Sequence, residues 1–263
     1  MPALTPYMVT PDHPGFSPNL SRLVSMMNYA RSTTLQMAQG LTVEELDFLP
    51  DPGGNSIGML LEHICAVEVG HQGETYGAGW DEAIGERWQA GAELGDLGRE
   101  KIRGHGLRYY LENLKAVPAA TYAEFARRDD AWLEEPVPMW GTTGNRFFLW
   151  FHVLEDEINH RGQIRLIWKQ FPRFRDRGMM GLGLEAATLE GLGLRVSHVY
   201  PGSPAAVAGL QTGDLVTEFD GLEVGSMLYE EVPIVQAAGV TSRLKVRRGE
   251  ELVEAEVTRV AAR

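Results

Sequence analysis

The sequence predicts a mixed chain of two unlike domains: an up-down-type four-helix bundle, then a small strand-rich domain. Three observations predict it. The chain has 263 residues, long for one small domain and ample for two cores. From residue 18 to residue 171 apolar residues recur at helical spacing. After PRFRDRG the texture changes to short alternating or β-branched runs with glycine turns. The expected limits are an N-terminal extension over 1–17, the bundle over 18–171, a linker over 172–177 and the second domain over 178–263.

Each element follows from local chemistry. Pro18-Asn19 opens a helix whose Leu20, Leu23, Val24, Met27, Leu35 and Met37 fall near one face. LTVEELDFLPDPGG is a short helical turn stopped by Pro and Gly. Asn55-Ser56 can cap a second helix, SIGMLLEHICAVEVGHQ. The Gly-rich, acidic GAGWDEAIGERWQAGAELGDLG reads as a long irregular connection with room for one short helix. It is longer than a plain up-down bundle needs, and is expected to wall a cavity. A third helix runs from about Leu107 toward Trp132, with a break expected near Pro118. EEPVPMWGTTGNR reads as a loop, and Asn145 can cap a fourth helix that ends before Pro172.

Bulk charge excludes some functions. The formal net charge is -12, which disfavours nucleic acid and anionic membrane surfaces as partners. Basic runs are short, at Arg173 to Arg177 and Lys245 to Arg248. The single cysteine, Cys65, cannot form an intramolecular disulfide, so a reducing, cytoplasmic setting is expected. The Pro-rich start does not look like a signal peptide, and no apolar run approaches a transmembrane length.

The run FHVLEDEINHRGQI, Phe151 to Ile164, places His152, Asp156 and His160 four residues apart on one helical face. His152 and His160 are about 12 Å apart along the axis, too far to share one ion. The feasible pairs are Asp156 with His160, or His152 with Asp156. Either needs a third ligand from another helix, and His63, among the apolar residues of MLLEHICAV, is the candidate. The plainer alternative is a set of hydrogen-bonded core histidines. His71 lies eight residues past His63 and is excluded from the same ion. Cys65 should face elsewhere as a buried, inert thiol.

GNSIGMLLEHICAVE and FHVLEDEINHRGQI together resemble the DinB-like superfamily of four-helix bundles, which includes mycothiol- and bacillithiol-dependent transferases. The resemblance covers roughly residues 18 to 171, and its strongest element is the HRGQ ending, His160 to Gln163. It implies a divalent metal held by His63, Asp156 and His160, with His152 and Gln163 behind the ligands or in the core. Many relatives have His where this chain has Asp156. Two histidines and one carboxylate leave open positions, the pattern of a catalytic site. Zinc is the first expectation, with nickel or another divalent ion compatible. The implied chemistry is metal-assisted transfer of a low-molecular-weight thiol to a small-molecule electrophile. The resemblance also implies pairing into a homodimer.

From Gly178 onward, GSPAAVAGLQTGD and VTEFDGLEV resemble a bacterial-type PDZ domain. That implies a partly open β-barrel or sandwich with one or two short helices, binding a protein C-terminal peptide. The carboxylate-holding loop maps onto Met179, Met180, Gly181 and Leu182, and the groove helix onto Tyr229 to Ala238, where Pro233 is a departure. The competing function is a non-enzymatic stress-response adaptor with a structural metal. A metallopeptidase is disfavoured, because no HExxH occurs.

Overall fold

The computed structural model describes residues 13–77, 79–139 and 141–261. Most of the expected extension, residues 1–12, lies outside them. The chain divides into two compact units. One takes in Ala38–Leu41 and everything from Trp168 onward; the other holds the remaining described residues.

Four long helices make the bundle: α1 (Pro18–Ala38), α3 (Ile57–Tyr76), α6 (Leu107–Phe125) and α8 (Arg146–Trp168). A short α2 (Val43–Asp47) follows α1, started by a Thr42–Glu45 capping box. Ser56 caps α3 and Asn145 caps α8, as their positions predict. Side-chain pairs fix the helix directions. Asn28 and Arg31 meet Tyr122 and the Leu114 carbonyl, so α1 and α6 run antiparallel. Arg31 and Thr33 meet Glu157 and Arg161, so α1 and α8 run parallel. Glu62 meets Tyr109 and Gln72 meets Thr121, so α3 and α6 also run parallel. The order is therefore up-down-down-up, and the long connection is the crossover between the parallel pair. It carries two helices rather than one, α4 (Glu82–Glu93) and α5 (Gly95–Lys101).

Two other expectations are corrected. Pro118 lies inside a continuous α6. Proline has no N–H to give to the carbonyl of residue 114, and Arg31 Nη1 donates to that carbonyl instead, at 2.5 Å. After a short α7 (Asp130–Glu134), the expected loop is a hairpin, β1 (Pro136–Met139) with β2 (Thr142–Asn145). Met139 pairs with Thr142, and Gly141 just before β2 takes a positive φ of 80°, which glycine allows in a tight hairpin connection.

The interior of the bundle is aromatic at one end. Trp150 packs edge-on to Phe125, and Tyr76 stacks on Trp132 and Trp150. Its middle is polar. Buried Arg31 bonds Glu68 and Glu157 at 3.0 Å each, and Glu68 also accepts from Thr121. Burial disfavours the Arg31 charge, but Glu157 and Glu68 more than offset this and hold it protonated.

In the second unit, a four-residue α9 (Pro172–Arg175) precedes the strands. The main sheet is antiparallel, in the order β4 (Leu182–Ala186), β5 (Leu194–Val199), β6 (Leu215–Phe219), β8 (Thr241–Arg248), β9 (Glu251–Thr258). β7 (Leu222–Glu223) pairs with β6, and β3 (Gly178–Met179) with β10 (Val260–Ala261). Leu194, Val196, Val216, Phe219, Leu244, Val246 and Val257 fill the core, and Ser203 caps the single-turn α10 (Pro204–Val207). The expected groove helix is absent. Only a 3-10 turn over Tyr229–Glu231 forms, because Pro233 keeps Val232 extended, with ψ at 126°.

Candidate metal centre

His63 projects from the middle of α3, and Asp156 and His160 from successive turns of α8. Burial of the surrounding Leu60, Leu61 and Ile64 draws His63 into the interface. One nitrogen or oxygen from each of the three lies within 4.8 Å of the others. Asp156 Oδ1 is 3.4 Å from His160 Nε2 and 3.8 Å from His63 Nε2. The two imidazoles stand edge to face, centroids 4.5 Å apart.

Second partners set the ring nitrogens. His63 Nδ1 lies 2.7 Å from the Gly91 carbonyl of α4. A carbonyl only accepts, so Nδ1 carries the proton and Nε2 offers its lone pair toward Asp156 and His160. This is the arrangement that orients a metal-ligating histidine. Gly91 is needed for the approach: a Cβ there would lie 3.0 Å from Glu62 Cγ and 3.1 Å from Ala66 Cβ.

In the absence of an ion, burial pushes the Asp156 carboxyl up, but the protonated forms of His160 and His63, with Nε2–H facing it, outweigh this by hydrogen bonding and charge and hold it well below the usual carboxylate range. Burial lowers His160, and Asp156 more than reverses that, with a smaller contribution from Gln163. Asp156 Oδ2 and His160 Nδ1 are buried without a hydrogen bond of normal geometry. The donor set fits a divalent cation. Ligand atoms about 2 Å from a tetrahedral ion stand roughly 3.4 Å apart, close to the separations found here. The shorter Asp side chain therefore reaches.

The other expected residues are placed as follows. His152 is half-buried, bonded through Nδ1 to Glu155, and shares no donor cluster with His63. Gln163 is exposed. Cys65 is fully buried, which pushes its thiol far above the usual range. In the second unit Met180 is buried, Met179 is exposed, and Gly181 has φ 72° with Ser203 where a Cβ would be. Leu182 begins β4, whose only recorded partner among the described residues is β5.

Residues 22–171 match the mycothiol S-transferase family. The chain belongs to that family. Residues 195–248 match the PDZ domain. The helical region is similar to a DinB-like protein from Bacillus cereus at 17% identity, covering 57% of this chain and 90% of that one, TM-score 0.45. The strand-rich region is similar to the HtrA3 PDZ domain bound to a phage-derived ligand, at 23% identity over 33% of this chain and 86% of that one, TM-score 0.27. It is also similar to the HtrA-type protease AlgW with tripeptide, at 24% identity, TM-score 0.28; the match spans 33% of this chain and 32% of that protease. No curated protein matches. No helix among the described residues is long and apolar enough to cross a membrane.

Sequence reading missed the role of the crossover. Gly91 sits in WQAGAE, in the last turn of α4, and its approach to His63 is a contact that spacing along the chain does not show.

Proposed function

We propose that the bundle is a metal-dependent thiol transferase and that the PDZ domain recruits a protein partner by its C-terminal segment. The observation that carries the first part is the convergence of His63, Asp156 and His160 with the His63 Nε2 lone pair directed inward by Gly91. These three residues would hold the ion. A divalent ion in such a site lowers the pKa of a bound thiol, giving a thiolate near neutral pH. Asp156 contributes a full negative charge and keeps both rings in place. The three side chains are only 12–16% exposed, so water is largely displaced around them.

For the PDZ domain the support is the outer edge of β4 beside the Gly181 turn. A peptide would add there as a further strand.

Metal analysis of the purified chain tests the site. About one divalent ion per chain is expected, lost in His63→Ala, His160→Ala and Asp156→Ala. Full retention in Asp156→Ala removes Asp156 from the ligand set. The loaded chain should conjugate mycothiol, bacillithiol or cysteine to monobromobimane faster than the stripped chain. A loaded chain with no turnover across such thiols favours an adaptor with a structural ion.

A further inference from the structure

The crossover helices cover a cavity that the metal centre does not use. It has a volume of about 400 Å³ and lies among α3, α4, α5 and the start of α6, and none of His63, Asp156 and His160 lines it. That volume suits a small molecule. The buried charge in its wall is Glu62, whose side chain is only 3% exposed. Glu62 Oε1 accepts from Arg87 Nη1 and, at 3.1 Å, from the Tyr109 hydroxyl. Oε2 meets only Asn113 Nδ2, at 3.5 Å, the outer limit of a hydrogen bond. The Arg87 guanidinium is braced as well as paired, 3.9 Å from the Trp88 ring centroid and 5.4 Å from that of Tyr109. Among the described residues no acceptor is hydrogen-bonded to its Nε or Nη2. Leu97, Ile102 and the stacked rings of His105 and Tyr109, 4.0 Å apart, supply apolar wall.

We propose that this cavity binds a free α-amino acid with a large apolar side chain. Charge decides the class. A simple cation drawn to Glu62 would lie against Arg87, and a simple anion drawn to Arg87 would lie against Glu62. A zwitterion meets each with the opposite sign. Its ammonium donates to Glu62 Oε2, and its carboxylate accepts from Arg87 Nε and Nη2. The two charges of an α-amino acid are as close together as the partners of an ion pair, the spacing that Glu62 and Arg87 impose. The remaining lining charges do not tip the balance: Lys101 pairs with Glu100 at 3.1 Å, and Glu86 is exposed to solvent. The apolar side chain packs on Leu97, Ile102 and the His105–Tyr109 stack, where leaving water favours it. The proposal does not rest on the thiol-transfer reading.

The test titrates the full chain with L-phenylalanine and follows the backbone amides of Gly85 and Ala90, which line the cavity. Saturable shifts are expected with a Kd of roughly 1 mM, ordinary for a ligand of that size. Two probes each carry half of the zwitterion. 3-Phenylpropionate lacks the ammonium and phenethylamine lacks the carboxylate, and each should bind about tenfold more weakly. Glu62→Gln keeps an acceptor for Arg87 and Tyr109 but removes the charge, so it should weaken L-phenylalanine about tenfold and leave 3-phenylpropionate no weaker. Arg87→Lys keeps a cation beside Glu62 but removes the fork, so it should weaken L-phenylalanine about tenfold and leave phenethylamine unchanged. Either variant alone decides the matter if the other does not fold. Binding of one half-probe as tightly as L-phenylalanine overturns the zwitterion. So does a folded variant that binds L-phenylalanine like wild type. No saturable shift with L-phenylalanine, L-leucine or L-methionine overturns the site.

Discussion

The two units bury charge in different places. In the bundle, Arg31, Glu68 and Glu157 are buried between helices near mid-length, and Glu62 is buried in the second turn of α3. In the strand-rich unit the buried charges are Asp214 and Arg259, which lie at turns and strand ends, while the sheet interior is aliphatic and aromatic. The reason is architectural. A helix satisfies its own backbone, so the interface between two helices can be given to side-chain polarity without exposing main-chain groups. A small sheet has one inner face, and each inward position is needed to make a core. A site built from charged groups therefore sits in the bundle, and the second unit is left with its edge.

The sharpest way to break this contrast is to remove the central cation. Arg31→Met leaves Glu68 and Glu157 buried without their partner and is expected to cost about 3–5 kcal/mol. Burial already pushes the Glu68 carboxyl up, so losing the cation strands it further. Urea unfolding followed by tryptophan fluorescence reads the bundle, since Trp132 and Trp150 lie in its core. Replacing Arg31, Glu68 and Glu157 together by apolar residues should recover most of the loss. A single variant as stable as wild type would mean that the polar middle contributes nothing to the fold.

In the second unit the corresponding change is Asp214→Asn, with an expected cost of about 1.5–3 kcal/mol. Asp214 accepts from Gln211 N and from Arg248 Nε and Nη2, each at 2.8 Å, and so joins the α10–β6 turn to β8. Burial raises its carboxyl, but Arg248 and the Gln211 amide outweigh this and hold it below the ordinary value. A carboxyl depressed in the folded state binds fewer protons there than when unfolded. Its stabilisation is therefore complete above the ordinary carboxylate pKa of about 3.9 and is lost as pH falls below it. Thermal unfolding of the strand signal between pH 3 and pH 7 should show this acid loss in wild type and a flatter curve in Asp214→Asn. Equal slopes would show that Asp214 is not the group that titrates.

Local rules made much of this legible in the sequence. Ser56 and Asn145 are read as caps from residue type and position alone. His63, Asp156 and His160 come together in the fold; helical spacing narrowed the α8 residues to two pairs, and the resemblance to DinB-like bundles singled out Asp156 with His160. What was not legible depended on partners distant in sequence. Pro118 stays within α6 because Arg31, far along the chain, takes the carbonyl that proline leaves free. The parallel direction of α3 and α6 follows from a crossover whose glycine-rich composition hides two helices. The missing groove helix was foreshadowed by Pro233, but how far the helix would shorten was not.

The smallest expected effect joins the crossover to the site. Gly91 has no positive φ among those recorded, so its constraint is space rather than backbone strain. An added Cβ would meet Glu62 Cγ, Ala66 Cβ and the Glu62 carbonyl at 3.0–3.2 Å. These belong to the interior of α3, so α4 itself must move outward by a few tenths of an ångström. The same movement lengthens the Gly91 carbonyl contact that fixes the His63 tautomer. Gly91→Ala should therefore leave the fold intact yet weaken metal binding by about tenfold, the lower end for losing a partner behind a ligand. Competition against a chelator of known affinity measures it. His63→Ala sets the upper limit of the same experiment. If Gly91→Ala binds as tightly as wild type, the α3–α8 interface orients His63 by itself, and the crossover is only a cover for the bundle.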